Sequence, residues 1–477
     1  MKKIPCLALG LLLTASTAFA ADRTWTNGAD DALWSSVGNW DSGVPVAGDS
    51  VIFNSVSSGT VHSTVTLDSD YPDSGTAISR ITFNYGADLT LYSAGTYELY
   101  TNGITVSDAY TYTLDIAKNS QGNSGFMPQV GATLNVGTGG TLLIKTAFGA
   151  KSGVSSGNYV KTGAGTLSIG DGVSGNAITQ YLQLKAEGGI TELGFTSGYA
   201  ANGISGISAG ATVKITANNE YLTTLSSSGL SYQSGVSNVA GTYDLNGYNQ
   251  TIYSLSGTST GVVTNSGNND ARLRIGVASL STKRNENDGD FKGTIQDGSL
   301  GNLSLVVNAY KSTYKLTLSG ANTYTGGTTI SSGTLVADSV SALGAGEVAI
   351  ESNGVLKLGN TAGVELSGIT TLTSSGTIVL TDTDSRILLA GYDFSGGTVL
   401  NLNGKFDVTG SYYLFTTDGA TNLAGNGDGS VTFLNETAGL TYSFSEGVLT
   451  VVPEPSTYAL MGAIGAVGLV MLRRRKK

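Results

Sequence analysis

One short phrase recurs along this chain: a glycine, then threonine or valine, then apolar residues that alternate with polar ones. Its clearest copies begin at Gly333, Gly354, Gly376 and Gly397, which lie 21, 22 and 21 residues apart. A fixed period near twenty residues indicates a solenoid, in which each repeat packs only on its neighbours. Each period holds short alternating segments bounded by Gly, Ser, Asn and Asp, and this content predicts strands rather than helices.

The same phrase appears earlier, at 140–144, 165–169 and 211–215. With 68 glycines, 6 prolines and 13% charged residues, the composition is poor in helix formers and rich in strand and turn formers. We therefore expect an all-β chain folded as a right-handed parallel β-helix, with Leu, Ile and Val inside and Thr, Ser, Asn and Lys outside. A large antiparallel sandwich or barrel is the alternative. The even step and the scarcity of Asn-Gly and Asp-Gly pairs favour the β-helix.

The most complete copy of the phrase lies at 315–337, where two strands flank the corner Gly-Ala-Asn-Thr-Tyr-Thr-Gly-Gly-Thr at 320–328. This stretch resembles the autotransporter-associated β-strand repeat of passenger domains. Residues 161–167 resemble the first half of the same repeat. The resemblance implies a passenger-like β-helix, and we assign it to residues 21–452.

The N-terminus has the pattern of a secretory signal. Two lysines follow the initiator methionine, an apolar stretch comes next, and Ala-Phe-Ala at 18–20 forms a small-x-small cleavage site. We expect a signal peptide over residues 1–20, with cleavage after Ala20. Cys6, the only cysteine of the sequence, lies inside this segment. The mature chain is therefore expected to have no disulfide, although it enters an oxidising compartment.

The segment 453–477 has three parts. An uncharged apolar stretch at 458–472 partitions into lipid, and a cationic cluster after it stays on the cytoplasmic side. We expect a single transmembrane helix with this cluster as its stop signal and the body on the outer side. Two prolines before the helix exclude helix and sheet, which predicts an extended chain around Glu454 that a processing enzyme can bind. The motif is Pro453, Glu454 and Pro455, and the basic cluster is Arg473, Arg474, Arg475, Lys476 and Lys477.

This three-part arrangement resembles the PEP-CTERM sorting signal of exported proteins from Gram-negative bacteria that make extracellular polysaccharide. The resemblance implies an exosortase, a membrane cysteine protease or transpeptidase, that cuts at or near the motif. It also implies that the protein is held at the inner membrane through its C-terminus and then reaches the cell surface or the medium. A permanent tail anchor is the alternative, although the apolar stretch is shorter than the roughly 20 residues that span a bilayer comfortably.

The charge of the body argues against two classes of partner. Removing residues 1–20 and 473–477 takes seven of the 25 basic residues, which leaves 18 against 35 acidic ones and a net charge of −17. Such a surface repels nucleic acid and anionic lipid. The expected partners are an exosortase-type enzyme, the membrane through the C-terminal helix, and extracellular polysaccharide or a neighbouring cell surface.

The sequence contains few residue patterns that are typical of catalytic or metal-binding sites. His62 is the only histidine, and its alternating context at 60–65 predicts a solvated strand residue rather than a catalytic base. Acidic clusters at 287–290, 382–384 and 427–429 match no calcium-loop spacing. Asp and Asn are ordinary turn residues, which is the favoured interpretation, with structural calcium as the alternative. We expect no catalytic residue, no metal and no cofactor.

Three tryptophans, Trp25, Trp34 and Trp40, lie close together at the start of the body. Aromatic faces stack well on sugar rings, so glycan contact is one interpretation. The other is a cap that covers the open end of the core, which bulky apolar residues must close in a solenoid. We favour the cap.

Together these features predict an exported structural or adhesive protein of the cell surface or extracellular matrix, and not an enzyme. The alternative comes from a different class: a polysaccharide lyase or hydrolase on a β-helix scaffold. A catalytic carboxylate pair on such a scaffold can lie several coils apart in sequence, where spacing alone does not reveal it.

Overall fold

The computed structural model describes residues 20–55, 61–69, 77–93, 95, 97–117, 125–145, 157–170, 182–194, 203–217, 235–276, 288–360, 362–419 and 421–454. Within these ranges the chain is almost entirely β, with two short 3-10 helices at Val37–Asn39 and Asp428–Ser430. The prediction of an all-β chain is confirmed. No helix in the described part is long and apolar enough to span a bilayer. The expected transmembrane helix, and residues 1–19 of the expected signal peptide, lie outside the described residues.

Thirty-six strands lie in the described ranges, and most are short. The first twelve are β1 (Asp22–Trp25), β2 (Ser50–Asn54), β3 (Thr64–Thr66), β4 (Arg80–Asn84), β5 (Leu89–Ser93), β6 (Leu99–Val106), β7 (Thr111–Ile116), β8 (Phe126–Val136), β9 (Thr141–Ile144), β10 (Gly157–Thr162), β11 (Thr166–Ile169) and β12 (Leu182–Ala186).

The next twelve are β13 (Ile190–Leu193), β14 (Ile204–Ile207), β15 (Thr212–Ile215), β16 (Val236–Val239), β17 (Thr242–Asp244), β18 (Gln250–Ile252), β19 (Leu255–Gly257), β20 (Val262–Thr264), β21 (Ala271–Ile275), β22 (Gly289–Phe291), β23 (Thr294–Ile295) and β24 (Leu303–Asn308). The last twelve are β25 (Lys315–Leu318), β26 (Thr328–Ala337), β27 (Gly346–Leu358), β28 (Glu365–Ser374), β29 (Thr377–Leu380), β30 (Arg386–Asp393), β31 (Val399–Asn401), β32 (Gly410–Tyr413), β33 (Phe415–Thr416), β34 (Thr432–Leu434), β35 (Leu440–Ser445) and β36 (Val448–Pro453).

Almost all strand pairings are parallel, and each joins a strand to one that lies a coil later. They form three ladders. Ladder 1 runs from β1 through β2, β4, β6, β8, β10, β12, β14, β16, β19, β22, β25, β26, β27, β29 and β31 to β34. Ladder 2 is β18, β21, β24, β26, β27, β28, β30 and β33. Ladder 3 is the ten-stranded sheet β3, β5, β7, β9, β11, β13, β15, β17, β20 and β23.

In the middle of the chain the strands visit the three ladders in a fixed order. From β16 to β25 the successive strands belong to ladders 1, 3, 2, 1, 3, 2, 1, 3, 2 and 1. Three strands therefore complete one coil in this part of the chain, whereas from β2 to β16 the strands alternate between ladders 1 and 3. The stacked coils make a solenoid of parallel strands. The long strands β26 and β27 contribute their first halves to ladder 2 and their second halves to ladder 1, which joins these two ladders into one sheet.

The even period of the sequence holds in the later coils. Leu335 pairs with Leu356, Leu356 with Ile378, and Ile378 with Leu400, so these coils are 21, 22 and 22 residues long. Each of these side chains is fully buried. One inward apolar residue per coil thus stacks on the next, as the periodicity predicts.

The earlier copies of the phrase lie in ladder 3. Residues 140–144, 165–169 and 211–215 correspond to β9, β11 and β15, and β13 stacks between the last two. Coil lengths vary in this part of the chain: Ile204 of ladder 1 pairs with Val236, 32 residues later. Both side chains are buried, so the longer coil keeps the inward position of its strand.

The main core is a continuous cluster of buried apolar side chains that extends from Trp25 to Val451, and a small second cluster consists of Ala77, Tyr100 and Met127. Strands such as β7 and β24 alternate strictly between buried and partly exposed positions. A single coil has too little apolar surface to fold alone, so the burial that stabilises each coil comes from its two neighbours.

The corner of the most complete repeat explains its Gly-Ala-Asn sequence. The Asn322 side chain, 2% exposed, accepts the N–H of Ile295 at 2.8 Å and donates to the carbonyl oxygen of Ala342 at 2.6 Å. It therefore joins the preceding coil to the following one. Gly320 is required by close approach, because a Cβ there would lie 1.8 Å from the carbonyl oxygen of Gly293.

Candidate functional site

The last sheet, with strand order β32, β36, β35, is antiparallel, whereas the three ladders are parallel. β35 and β36 join through Glu446 and Gly447, whose φ angles are 49° and 75°. Two consecutive positive φ values are typical of a type I′ hairpin turn. Space also requires the glycine, since a Cβ at Gly447 would lie 1.9 Å from the carbonyl oxygen of Phe415. We call β35, β36 and their turn the C-terminal hairpin.

The first residue of the predicted processing motif lies inside this hairpin. Pro453 ends β36 and pairs with Leu440 of β35, and the N–H of Glu454 donates to the carbonyl oxygen of Gly439 at 2.9 Å. Hydrogen-bonded and non-hydrogen-bonded pairs alternate in an antiparallel ladder, so the nitrogen of Pro453 faces away from β35. On that side the pairing with β32 stops at Val451, which lies opposite Gly410, the first residue of β32, so no ladder bond is lost at Pro453. The expectation that the prolines exclude this segment from a sheet is wrong for Pro453.

Pro453 and Glu454 are both exposed, so the start of the motif is accessible at the edge of the fold. The remaining parts of the predicted site lie outside the described residues. They are Pro455, the apolar stretch 458–472, and the basic residues Arg473, Arg474, Arg475, Lys476 and Lys477.

The inner face of the C-terminal hairpin packs on the last coils through aromatic rings. The ring of Phe394 lies 4.6 Å from that of Tyr392 and 5.1 Å from that of Phe415, and Phe415 lies 5.8 Å from Phe444 of β35. The pairs Phe394–Phe415 and Phe415–Phe444 are edge-to-face, and such pairs add to the stabilisation that burial provides. The hairpin therefore closes the end of the core from which the tail departs.

A hydrogen-bond network fixes the turn of the hairpin to the body. The hydroxyl of Tyr392 donates to Oδ1 of Asp428 at 2.6 Å and accepts the N–H of Gly447 at 2.9 Å, while Oδ2 of Asp428 accepts the N–H of Glu446 at 2.7 Å. Burial and the nearby Asp428 carboxylate raise the pKa of Tyr392 above its usual range. Asp428, which belongs to an acidic cluster in the sequence, thus holds a turn.

The three tryptophans lie at the opposite end of the core. Trp25, Trp34 and Trp40 are 1%, 0% and 5% exposed, and the ring of Trp40 lies 5.1 Å from Trp25 and 5.0 Å from Trp34. All three contact Phe53 of the next coil at 5.8–6.1 Å. Buried faces are closed to sugar rings, so of the two interpretations this geometry favours the cap.

Residues 39–41 also cover the outer edge of the first strand. The N–H of Thr26 donates to the carbonyl oxygen of Asn39 at 2.8 Å, and the N–H of Asp41 donates to that of Thr24 at 3.1 Å. The side chain of Asp41 also accepts the N–H of Thr24 at 3.0 Å. Residues 39–41 therefore run along β1 and satisfy the backbone groups that an open edge would offer to another chain.

A buried carboxylate at the same end was not recognised from the sequence. Asp49, 2% exposed, accepts the N–H of Ala21 at 2.9 Å, the Nε–H of Arg23 at 2.8 Å and the N–H of Val46 at 3.1 Å. Burial by itself raises the pKa of Asp49, but the hydrogen bonds and the Arg23 charge outweigh burial and lower it. The signal that marks such a residue is an aspartate in a Gly-Asp turn directly before an alternating strand.

A polar cleft of about 340 Å³ opens on the outer side of ladder 1. Its carboxylates are engaged: Asp288 accepts the N–H of Lys315 at 2.9 Å, Asp338 accepts that of Asn360 at 2.7 Å, and Asp290 lies 3.5 Å from Nζ of Lys292. The cleft is lined by Asp288, Gly289, Asp290, Lys292, Lys315, Thr317, Ser319, Asp338 and Asn360.

His62 lies outside the strands, whereas its alternating sequence context predicts a strand residue. β3 begins only at Thr64, Val61 is 55% exposed, and Nε2 of His62 lies 3.0 Å from Oδ1 of Asp30 at the surface. Among the described residues, no group of three or more His, Cys, Asp or Glu side chains is arranged to hold a metal ion.

Comparison with known families identifies two segments of the chain. The passenger-associated-transport-repeat family matches residues 315–337, the coil whose corner contains Asn322, and the PEP-CTERM protein-sorting motif matches residues 451–476, which begin inside β36. Neither the curated proteins nor the solved structures contain a match to the chain. The chain therefore carries a passenger-associated-transport repeat in its β-solenoid body and a PEP-CTERM sorting motif after it, which implies an exported protein that is anchored through its C-terminal segment and processed by an exosortase.

Proposed function

We propose that this chain is a structural or adhesive protein of the cell surface or extracellular matrix. A transmembrane helix at 458–472, with Arg473–Lys477 on the cytoplasmic side, holds it at the inner membrane until an exosortase releases or transfers it. The body is a right-handed β-helix, the sense that parallel crossovers take in nearly all known folds. Its long outer faces contact extracellular polysaccharide or neighbouring cells.

The observation that supports this proposal best is a column of side chains on the outer face of ladder 3. One partly exposed position per strand is stacked in register over eight strands, and none of the eight side chains is charged. Six are threonines and two are aliphatic: Thr111, Thr141, Thr166, Ile190, Thr212, Thr242, Val262 and Thr294.

A regular column suits a regular polymer. Neighbouring strands lie about 4.8 Å apart, so the column repeats a hydroxyl and a methyl group at that spacing. A neutral polysaccharide offers hydroxyls and C–H faces at a similar repeat, and many weak contacts along one chain add up through multivalency. The net charge of −17 on the body disfavours strongly anionic polymers.

The test is binding of the exported protein to matrix polysaccharide from its host. We expect Thr166→Glu, Thr212→Glu and Thr242→Glu together to weaken retention by about tenfold or more, equivalent to about 1.4 kcal/mol, because carboxylates replace neutral contacts. A matched control carries Thr82→Glu, Thr105→Glu and Thr162→Glu, which share an outward register on ladder 1. Unchanged binding of the ladder 3 variant, or equal loss in the control, would contradict the proposal.

The competing function is a carbohydrate-active enzyme, and the polar cleft on ladder 1 is what favours it. Asp290 and Asp338 both line this cleft, and a carboxylate pair is the usual machinery of glycoside hydrolysis. A panel of neutral and acidic glycans distinguishes the two functions. Turnover that Asp290→Asn or Asp338→Asn abolishes would replace the structural proposal with the enzymatic one.

A further inference from the structure

Ala21 is held on both sides by the turn that contains Asp49. Its N–H lies 2.9 Å from Oδ1 of Asp49, and its carbonyl oxygen accepts the N–H of Ser50 at 2.9 Å. The residue before it, Ala20, is exposed. The bond between Ala20 and Ala21 is the one at which the sequence predicts cleavage of the signal peptide.

The carboxylate of Asp49 divides its two oxygens between different partners. Oδ2 accepts from Nε of Arg23 at 2.8 Å and from the N–H of Val46 at 3.1 Å, whereas Oδ1 is directed at the nitrogen of Ala21. A buried carboxylate is stabilised most by charged donors, which form shorter and stronger hydrogen bonds than neutral amides. The position of Ala21 is therefore the place where a second positive charge would help.

We propose that removal of the signal peptide after Ala20 creates an α-ammonium group at Ala21 that Asp49 binds, so that cleavage locks the first coil. The inference rests on the proposed export of the protein. Hydrolysis adds one water across the Ala20–Ala21 bond: the carboxylate leaves with the signal peptide, and the amine stays on Ala21 and takes up a proton. A neutral amide N–H is thereby replaced by a charged donor at the same nitrogen.

The consequence concerns the cap. Ala21 directly precedes β1, the terminal strand at which ladder 1 begins, and β1 contains Trp25. Clamping Ala21 to Asp49 fixes the start of β1 and with it the tryptophan that contacts Trp40 and Phe53. The uncleaved chain has only the amide bond at this position and a looser cap.

The ion pair predicts a dependence of stability on pH. A free α-amino group has a pKa of about 7.7–8.0, and a carboxylate at hydrogen-bond distance raises it by about one unit or more. The stabilisation is then fully present below about pH 7.7 and is lost as the pH rises through the raised pKa of the amino group. The other charged residues of this region are Arg23, Asp22 and Asp41 near β1 and Arg80, which pairs in register with Ser50. These groups are common to every chain compared below, so a difference in pH-dependent stability between the chains comes from the amino group.

The experiment compares two chains that both extend to Lys477, purified in detergent. One begins at Ala21, and the other carries Gly-Ser before Ala21, which restores an amide at the same nitrogen. Because Trp25, Trp34 and Trp40 are the only tryptophans, intrinsic fluorescence reports opening of the cap. At pH 7 we expect the opening equilibrium to be about tenfold or more smaller in the chain that begins at Ala21, and the difference to vanish by about pH 10.

Two further measurements complete the test. Asp49→Asn in both chains should abolish the difference between them, and the α-amine of the Ala21 chain should react more slowly with an acylating reagent than that of the extended chain. If Asp49→Asn fails to fold, the comparison of the two chains with Asp49 intact still tests the ion pair. Equal opening equilibria at pH 7 overturn the ion pair. An exported protein that begins at another residue overturns the proposed cleavage and the inference with it.

Discussion

At the scale of the residue, buried amide side chains hold the coils together. Asn322 bridges the coils on either side of it, and Asn265 does the same elsewhere: it accepts the N–H of Gly247 at 2.6 Å and donates to the carbonyl oxygens of Asn269 at 2.8 Å and Asn302 at 3.0 Å. Buried polar groups persist in proteins when they are hydrogen-bonded in this way. The asparagine of the repeat phrase is thus a connector between coils rather than a surface residue.

The loss of such a connector should be costly. We expect Asn322→Ala to lower the free energy of unfolding by about 2–5 kcal/mol, because it leaves the N–H of Ile295 and the carbonyl of Ala342 buried without a partner. Urea unfolding followed by circular dichroism measures the change. The control is Asn353→Ala in the next coil, where the side chain is exposed and a change within about 0.5 kcal/mol is expected. Equal effects of the two substitutions would contradict this role.

Lys161 is the residue that departs furthest from the sequence prediction, which places lysine on the outside of the coil. Its side chain is fully buried, and Nζ donates to the carbonyl oxygens of Thr162 and Gly163 at 2.8 Å and of Gly188 at 3.0 Å. Burial lowers the pKa of Lys161 to about 8. Alternation alone does not reveal this arrangement, because the carbonyl groups that accept from Nζ come from two different coils.

This lysine should give the protein a stability that rises with pH. In the unfolded chain lysine titrates near 10.4, so between about pH 8 and 10 the unfolded state binds more protons than the folded state, and the free energy of unfolding increases. Lys161→Met cannot titrate. We therefore expect wild type to gain stability relative to Lys161→Met as the pH rises from 7 to 10, measured by urea unfolding. A pH-independent difference for Lys161→Met would contradict the account.

At the scale of the element, alternation and periodicity predict the strands well and the turns poorly. The inward positions of ladders 1 and 3 follow the sequence phrase, but the last glycine does not: Thr377 pairs with Val399, which aligns Gly376 with Thr398 and not with Gly397. The Asn-Gly and Asp-Gly signals also do not predict the hairpin turn at Glu446 and Gly447. The alternating segments on both sides of this pair were the available signal.

The C-terminal hairpin suggests that processing of the tail depends on how easily its open end frays. An enzyme that binds Pro453 and Glu454 in an extended cleft must first separate them from Leu440 and Gly439. We expect a disulfide between Thr441→Cys and Val452→Cys, next to the motif, to slow release of the tail several-fold or more. The fraction of the exported protein that lacks the tail, measured by mass with and without reductant, tests this.

A matched control disulfide can be placed two residue pairs closer to the turn of the hairpin. Ser443→Cys and Thr450→Cys occupy the same kind of pair in the same hairpin, and the pairs next to the motif stay free to open. This control should process at the wild-type rate. If both disulfide variants and the wild type lose the tail at the same rate, opening of the hairpin does not limit cleavage of the tail.

At the scale of the whole molecule, each end of the solenoid is closed by a different device. Trp25, Trp34 and Trp40 cover the first coil, and the C-terminal hairpin with Phe444 covers the last ones. A stack of coils needs such caps because its terminal strands would otherwise expose apolar surface and unpaired backbone groups. The sequence predicts the solenoid and the first cap from composition and period. It does not predict the second cap, because that cap is antiparallel and shares a strand with the sorting motif.

The two caps also mark the two places where export would change the chain. Ala21 is held directly before the first strand, and Pro453 ends the last one. The described strands thus begin at Asp22 and end at Pro453, directly beside the two expected cleavage sites. Both removals leave every ladder intact, because Ala21 precedes β1 and Pro453 ends a strand of the antiparallel sheet.

The measurement that tests this account most directly is the intact mass of the exported protein from cells with and without an exosortase. We predict a chain that begins at Ala21, ends near Pro453 and lacks Arg473–Lys477 when the exosortase is present. Without it, the same chain should retain the basic residues and stay with the membrane. A secreted protein that still carries Arg473–Lys477 would contradict the account.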